Sequence, residues 1–316
     1  MIGLSCAVRL VEAGHDVEVV TREEPSATTS SVAGGLWLPY RAEPAERVAA
    51  WARTTLIELV RLAETDPSAV VMLREGVLLH RRPVRQPAWA GAMADLVPLR
   101  EVVDPALGYA SGLSLTVPVV DVPRYLDHLV RRFLAAGGRL VHRTLLELPS
   151  RGIVVHCAGL GARALVGDEQ VRPVRGQVVV LSRSGPDRWL VDEQEVDGEL
   201  SYVLPRRHDV VVGGSATEDD EDLAADLALA DRMLERAYEL VPQLRGATVL
   251  AHRVGLRPVR PAVRLDVEQR HSGAVIHCYG HGGAGVTLSW GCADEVLALV
   301  QGLGAPTAGP HAPVGR

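Results

Sequence analysis

Apolar and polar positions follow two periods along this chain, and the changes between them mark its elements. Met1-Ile-Gly-Leu-Ser-Cys-Ala-Val-Arg-Leu-Val-Glu-Ala-Gly14 spaces its apolar residues as a helix does and predicts one closed by Gly14. His15–Val20 then alternates like a strand. A long helix is predicted over 45–64, around Val48, Trp51, Leu56 and Leu59. Residues 69–119 mix short strands with Pro- and Gly-bearing turns. Asp121 is placed as the N-cap of a helix that stops at Gly137-Gly138. Strands are expected at 139–143, 152–157 and 174–182, then a pair at 200–204 and 209–213 joined by an Arg-Arg-His turn. A charged helix follows at 220–241, strands lie near 249–255 and 274–278, and a last helix runs from Gly285 to Gly302. The Gly/Pro/Ala/His-rich tail, 304–316, reads as disordered.

Helix, Gly-His-Asp and a Val-rich strand form the second half of a dinucleotide-binding β-α-β unit. Gly3 fits the last glycine of its G-x-G-x-x-G. The first strand and first two glycines are therefore expected upstream of Met1, and the chain reads as a shortened form. A helix that simply starts at a buried glycine stays open as the alternative. No internal repeat is present. The expected fold is α/β, with a discontinuous Rossmann-like cofactor domain (1–44, 120–165 and 245–303) lacking its first strand. An α+β substrate domain with a mostly antiparallel sheet is expected from 45–119 and 166–244.

Composition narrows the function classes. The chain has 316 residues, 47% hydrophobic and 23% charged, which suits a globular protein of two lobes. Its formal charge of −6 argues against nucleic-acid binding through bulk positive charge. No apolar run approaches the roughly 20 residues of a membrane helix. All 33 basic residues are arginine, so Schiff-base chemistry on a protein lysine is excluded. Cys6, Cys157, Cys278 and Cys292 show no CxxC or Cys/His zinc spacing, so no metal site is expected and free thiols in a reducing cytoplasm are.

Four stretches carry candidate chemistry. Glu23, beside Arg22, lies 20 residues after Gly3, where an acidic side chain can accept from ribose hydroxyls. Thr28-Thr-Ser-Ser-Val-Ala-Gly-Gly-Leu36 can offer hydroxyls and main-chain N–H groups to a pyrophosphate or a flat ring; a plain Ser/Thr loop is the alternative. Arg257 sits in a stretch stiffened by Gly255, Pro258 and Pro261, so its guanidinium can be held for a carboxylate, at about 1.5–3 kcal/mol per charged bond. Last, Gly280, Gly282, Gly283 and Gly285 fall between a Val/Ile strand and an apolar helix, a turn that presents N–H donors and a positive helix end. His277 and His281 flank this turn, as catalysts or as hydrogen-bonded scaffold.

Together these segments resemble the D-amino acid oxidase family of flavoproteins, over roughly residues 1–302. His277-Cys-Tyr-Gly280, Gly282-Gly283-Ala-Gly285 and Gly291-Cys-Ala293 follow that family's signature spacing. Ile2-Gly-Leu-Ser, Val32–Tyr40, Arg175-Gly-Gln177, Ser201-Tyr-Val-Leu-Pro205 and Gly255–Pro261 match in the same order. The resemblance implies FAD held non-covalently between two lobes. It places Arg22 and Glu23 by the adenosine, with Leu145, Ala158 and Gly159 near the same half, and Gly3 among the cofactor-binding residues as the last glycine of the G-x-G-x-x-G. It places Thr28, Thr29, Ser30, Gly34, Gly35 and Leu36 along the pyrophosphate and flavin. Gly282, Gly283, Gly285 and Thr287 would hold the ring edge. Arg257 would grip the substrate carboxylate, helped by the Tyr202 hydroxyl, and the Gly283 carbonyl would accept from the amino group.

The implied reaction is oxidative deamination of a D-amino acid to a 2-oxo acid, ammonia and hydrogen peroxide, by hydride transfer from Cα to flavin N5. It needs no acid or base side chain on the protein. Its partners are the small-molecule D-amino acid and oxygen, with no nucleic acid or membrane, and a homodimer is admitted. Two features depart from the family pattern: the upstream G-x-G, and Gly198 where some members carry a second tyrosine. An oxidase for D-aspartate, glycine or secondary amino acids is the runner-up, with Arg206 and Arg207 as candidate binders of a side-chain carboxylate. A non-catalytic remnant without FAD is the third reading.

Overall fold

Helix α1 (Ile2–Glu12) turns Leu4, Cys6, Val8 and Leu10 inward, and it ends where Gly14 takes a φ of +89°. It belongs to a computed structural model that describes residues 1–39, 41–81, 87–102, 108–196 and 199–304, without the side chains of 193–196 and 199. Gly198 and the tail 305–316 lie outside the described residues; Gly304 closes the last helix instead of opening a tail. The expected α/β fold is the one observed. Strand β1 (Glu18–Thr21) pairs in parallel with β5 (Arg139–His142). Between them in sequence come α2 (Ala45–Thr65), β2 (Val71–His80), the short α3 (Ala90–Met93), β3 (Arg100–Val102), β4 (Ser111–Val120) and α4 (Val122–Ala135).

A second, larger sheet follows the order β3-β4-β2-β8-β9-β10-β7-β12-β13-β6. Its remaining strands are β6 (Gly152–His156), β7 (Arg172–Ser182), β8 (Trp189–Val196), β9 (Glu199–Pro205) and β10 (Asp209–Ser215), then the two-residue β11 (Thr217–Glu218), β12 (Val249–Arg270) and β13 (Gly273–His281). The β8-β9-β10-β7-β12-β13 run is antiparallel throughout, while β6–β13 and β2–β8 are parallel. Helix α5 (Ala162–Val166) follows β6, and α6 (Leu227–Leu240) covers β7, β9 and β10. Helix α7 (Gly285–Gly304) packs between α1 and α2. Its Trp290 is fully buried, and the indole N–H donates to the Tyr125 hydroxyl at 2.8 Å.

Three local expectations change. The charged helix begins at Leu227, not 220, because aspartates capture the chain first. Asp220 and Asp222 each accept from the main chain two residues on, and Asp226 caps the helix by accepting from Leu229 N–H. Asp121 sits at the N-cap position but caps nothing; its buried carboxylate takes the Arg124 guanidinium at 2.6 Å. The strand near 249–255 continues to Arg270. Its first part pairs with β7 as far as Val259 and its last part with β13 from Arg264 onward, so Pro258 and Pro261, which lack N–H groups, fall near the exchange.

Candidate functional site

The Gly280–Gly285 turn, the N-terminus of α1 and the 28–36 stretch converge on one cavity of about 1810 Å3. Pockets for drug-sized molecules run to about 1,000 Å3, so this one has room for a dinucleotide and a small second molecule. Val17–Thr21 and residues 153–157 form part of its wall. Of the residues singled out in the sequence, Gly3, Arg22, Glu23, Thr28, Thr29 and Ser30 line it. So do Gly34, Gly35, Leu36, Leu145, Ala158, Gly159, Tyr202, Arg257, Gly282, Gly283 and Gly285. Thr287 does not. It is buried, and its hydroxyl donates to the Leu38 carbonyl at 3.0 Å and accepts from Leu38 N–H at 3.2 Å, which ties α7 to the 28–38 segment.

The 28–36 stretch is shaped by its own hydrogen bonds. The Thr28 hydroxyl donates to the Pro25 carbonyl, Ser31 to Ser26 and Thr28, and a 3-10 turn spans Thr29–Val32. The Thr28 and Ser31 protons are spent on the loop itself, while the Ser30 hydroxyl oxygen accepts from the Met1 amino group at 3.2 Å. Arg22 and Glu23 pair with each other at 2.7 Å at the exposed rim. At the other end, the first N–H groups of α7 are left without helical partners, a positive helix end beside Gly283 and Gly285.

Arg257 faces this turn. A Cβ placed on Gly283 would meet its Cδ at 3.7 Å and its Nε at 3.8 Å, so the arginine stem passes about one methyl group's width from the turn. Nη1 donates to the Ser215 carbonyl at 2.8 Å. The guanidinium lies flat over Gly176 of β7, where any Cβ would fall 2.3 Å from Nη1. Tyr202 of β9 lies over Gly213 and Gly214 of β10 in the same way, its hydroxyl 2.6 Å from where a Gly213 Cβ would stand. Burial pushes the Tyr202 phenol up, with the Arg257 charge pulling against it. The hydroxyl therefore stays protonated and free to donate. Gly176 was seen only as part of Arg175-Gly-Gln177, with no role, and Gly213 was not singled out by sequence reasoning. Their signal was a glycine inside a Val-rich strand, which marks close backbone approach.

The histidines separate. His277 lies off the cavity, between Glu268 at 3.0 Å and His156 at 3.3 Å, and serves as scaffold. His281 lines the cavity beside Cys278 and Cys292. Arg206 is buried and holds Asp209 through two bonds of 2.6 and 2.8 Å, so it has no free face for a substrate carboxylate; neither it nor Arg207 reaches the cavity.

The sequence family described as FAD dependent oxidoreductase (DAO) matches residues 1–299. The chain belongs to that family. Within it, a D-amino-acid oxidase of Rubrobacter xylanophilus is 45% identical over 303 residues, covering 94% of this chain and 92% of that protein. A D-amino-acid oxidase of Streptomyces coelicolor is 42% identical, covering 95% and 94%. Among solved structures, glycine oxidase from Bacillus cereus shares the fold with a TM-score of 0.78 at 18% identity, covering 95% of this chain and 92% of that one. The cofactor of this FAD-dependent family fits the residues present: a cavity of dinucleotide size, bordered by glycine-bearing turns, with helix N-termini at two places. No helix among the described residues is long and apolar enough to cross a membrane.

Proposed function

We propose that this chain is an FAD-dependent D-amino acid oxidase that converts its substrate to the 2-oxo acid, ammonia and hydrogen peroxide. The observation that carries the reading is the Arg257 guanidinium fixed against the Gly283 turn, with the Tyr202 hydroxyl protonated beside it. The chemistry supplied by bound FAD is two-electron oxidation at Cα, with oxygen taking up the electrons. Everything else asked of the protein is positioning, which can supply several kcal/mol of the barrier.

In this assignment Gly3, Arg22, Glu23, Leu145, Ala158 and Gly159 hold the adenosine half. Thr28, Thr29, Ser30, Gly34, Gly35 and Leu36 follow the pyrophosphate and ring, and Gly282, Gly283 and Gly285 hold the ring edge. Arg257 presents two parallel donors to the substrate carboxylate, and Tyr202 donates a third hydrogen bond. The Gly283 carbonyl accepts from the amino group. Two fixed points on a small zwitterion leave only Cα–H and the side chain to exchange places, and that choice sets the handedness. Leu200, Leu204 and Val191 line the same end and keep water from the reacting bond. The segments 1–44, 120–165 and 245–303 form the cofactor domain and 45–119 and 166–244 the substrate domain, with Arg257 and Gly283 reaching the substrate from the former. A cytoplasmic setting suits four free thiols.

Oxygen uptake on a panel of D- and L-amino acids, glycine, secondary amino acids and D-aspartate tests this. The proposal predicts turnover of neutral D-amino acids and none of their L-enantiomers. Equal rates for both hands, or turnover of glycine and D-aspartate alone, contradict it.

A further inference from the structure

All four cysteines of the chain meet in one place. Cys6 comes from the inward face of α1, Cys157 from the residue after β6, Cys278 from β13 and Cys292 from the second turn of α7. The Cys6, Cys157 and Cys278 sulfurs lie within 4.8 Å of one another, and so do the ligand atoms of Cys278, Cys292 and His281. His281 Nε2 stands 3.4 Å from Cys292 Sγ and 4.0 Å from Cys278 Sγ. Cys6, Cys278, Cys292 and His281 are all buried, and Cys157 half-buried.

These spacings match a known coordination polyhedron. A tetrahedral zinc ion holds thiolate sulfur at about 2.3 Å and imidazole nitrogen at about 2.0–2.1 Å, which sets S···N edges of about 3.6 Å and S···S edges of about 3.8 Å. The two observed S···N distances fall on either side of that edge. We propose that Cys278, Cys292 and His281 bind a thiophilic divalent cation of the zinc class, with the fourth position left to a water molecule. Each coordinating thiol gives its proton to solvent, and two thiolates balance the charge of the ion, which makes a buried site tolerable. The cavity supplies the way in, because Cys6, Cys157, Cys278 and His281 all line it. The bound ion joins β13 and α7, so it stiffens the wall behind the glycine turn.

The test uses the full, flavin-loaded chain with its thiols reduced. Zinc affinity is measured by competition with a chromophoric chelator, and the ligand shell by X-ray absorption at the zinc edge. One ion per chain is expected, with sulfur neighbours at about 2.3 Å. Zinc should raise the unfolding temperature, and Cys292→Ser and His281→Gln should each weaken binding about tenfold or more. A shell of oxygen and nitrogen alone, or unchanged affinity in both variants, overturns the proposal. The wild-type spectrum decides alone if either variant fails to fold.

Discussion

The two faces of the cavity are built on opposite rules. On the face made by β7, β9, β10 and β12, side chains do the presenting: Arg257 lies over Gly176 and Tyr202 over Gly213 and Gly214. On the face made by α1, β6, the 28–36 stretch and the Gly280–Gly285 turn, main chain and helix ends are presented, and hydroxyls such as Thr28 and Ser31 are spent on their own loop. A main-chain face can hold a large, repetitive anion through many weak contacts, no one of which decides. A side-chain face reads one small molecule through few contacts, each of them critical. Damage to the first face should appear as lost stability, and damage to the second as lost selectivity.

The largest expected effect lies on the main-chain face. Burial holds His156 down at about 4, below the usual His value of about 6.5. On acidification the unfolded chain therefore takes up this proton first. The contribution to stability is complete above about pH 6.5 and is lost as pH falls toward 4, by up to about 3 kcal/mol. Urea unfolding across that range should show this slope, and His156→Gln should flatten it. A variant with the wild-type slope would assign the acid sensitivity elsewhere.

On the side-chain face, Arg257→Lys keeps the charge but loses the parallel pair of donors. It should raise KM roughly 10- to 150-fold, the worth of about 1.5–3 kcal/mol, with little change in melting temperature. Gly176→Ala sharpens the comparison without touching the arginine: the new methyl would stand 2.3 Å from Nη1 and must displace it. A fall in kcat/KM of about tenfold is expected, as for one loosened charged bond. Tyr202→Phe removes one neutral donor and should cost about 1 kcal/mol, roughly fivefold in KM. Steady-state kinetics that reversed this order would show that the carboxylate is not held from β12.

Much of this was legible in the chain because its signals are local. The glycine-dense turn, Arg257 between Gly255 and Pro258, and the Thr/Ser run before Gly34-Gly35 each lie within about a dozen residues, as does the Tyr202 strand. What the sequence hid depends on register between distant strands. Gly176 comes under Arg257 because Gly255 pairs with Gly176 across β12 and β7, and Gly213 comes under Tyr202 through the β9–β10 pairing. The late start of α6 was hidden differently. Asp220 and Asp222 suit a charged helical face as well as an Asx turn, and the local hydrogen bonds win. The cysteine cluster is the extreme case, since positions 6, 157, 278 and 292 have no spacing motif and only the fold collects them.

Anaerobic titration of the flavin-loaded protein with D-alanine and L-alanine, in wild type and Arg257→Lys, tests the central claim most directly. Bleaching of the flavin by D-alanine alone, with the half-point moved at least about tenfold higher in the variant, is the predicted result. Bleaching by both enantiomers, or an unmoved half-point in Arg257→Lys, would contradict a carboxylate held by Arg257 against the Gly283 turn.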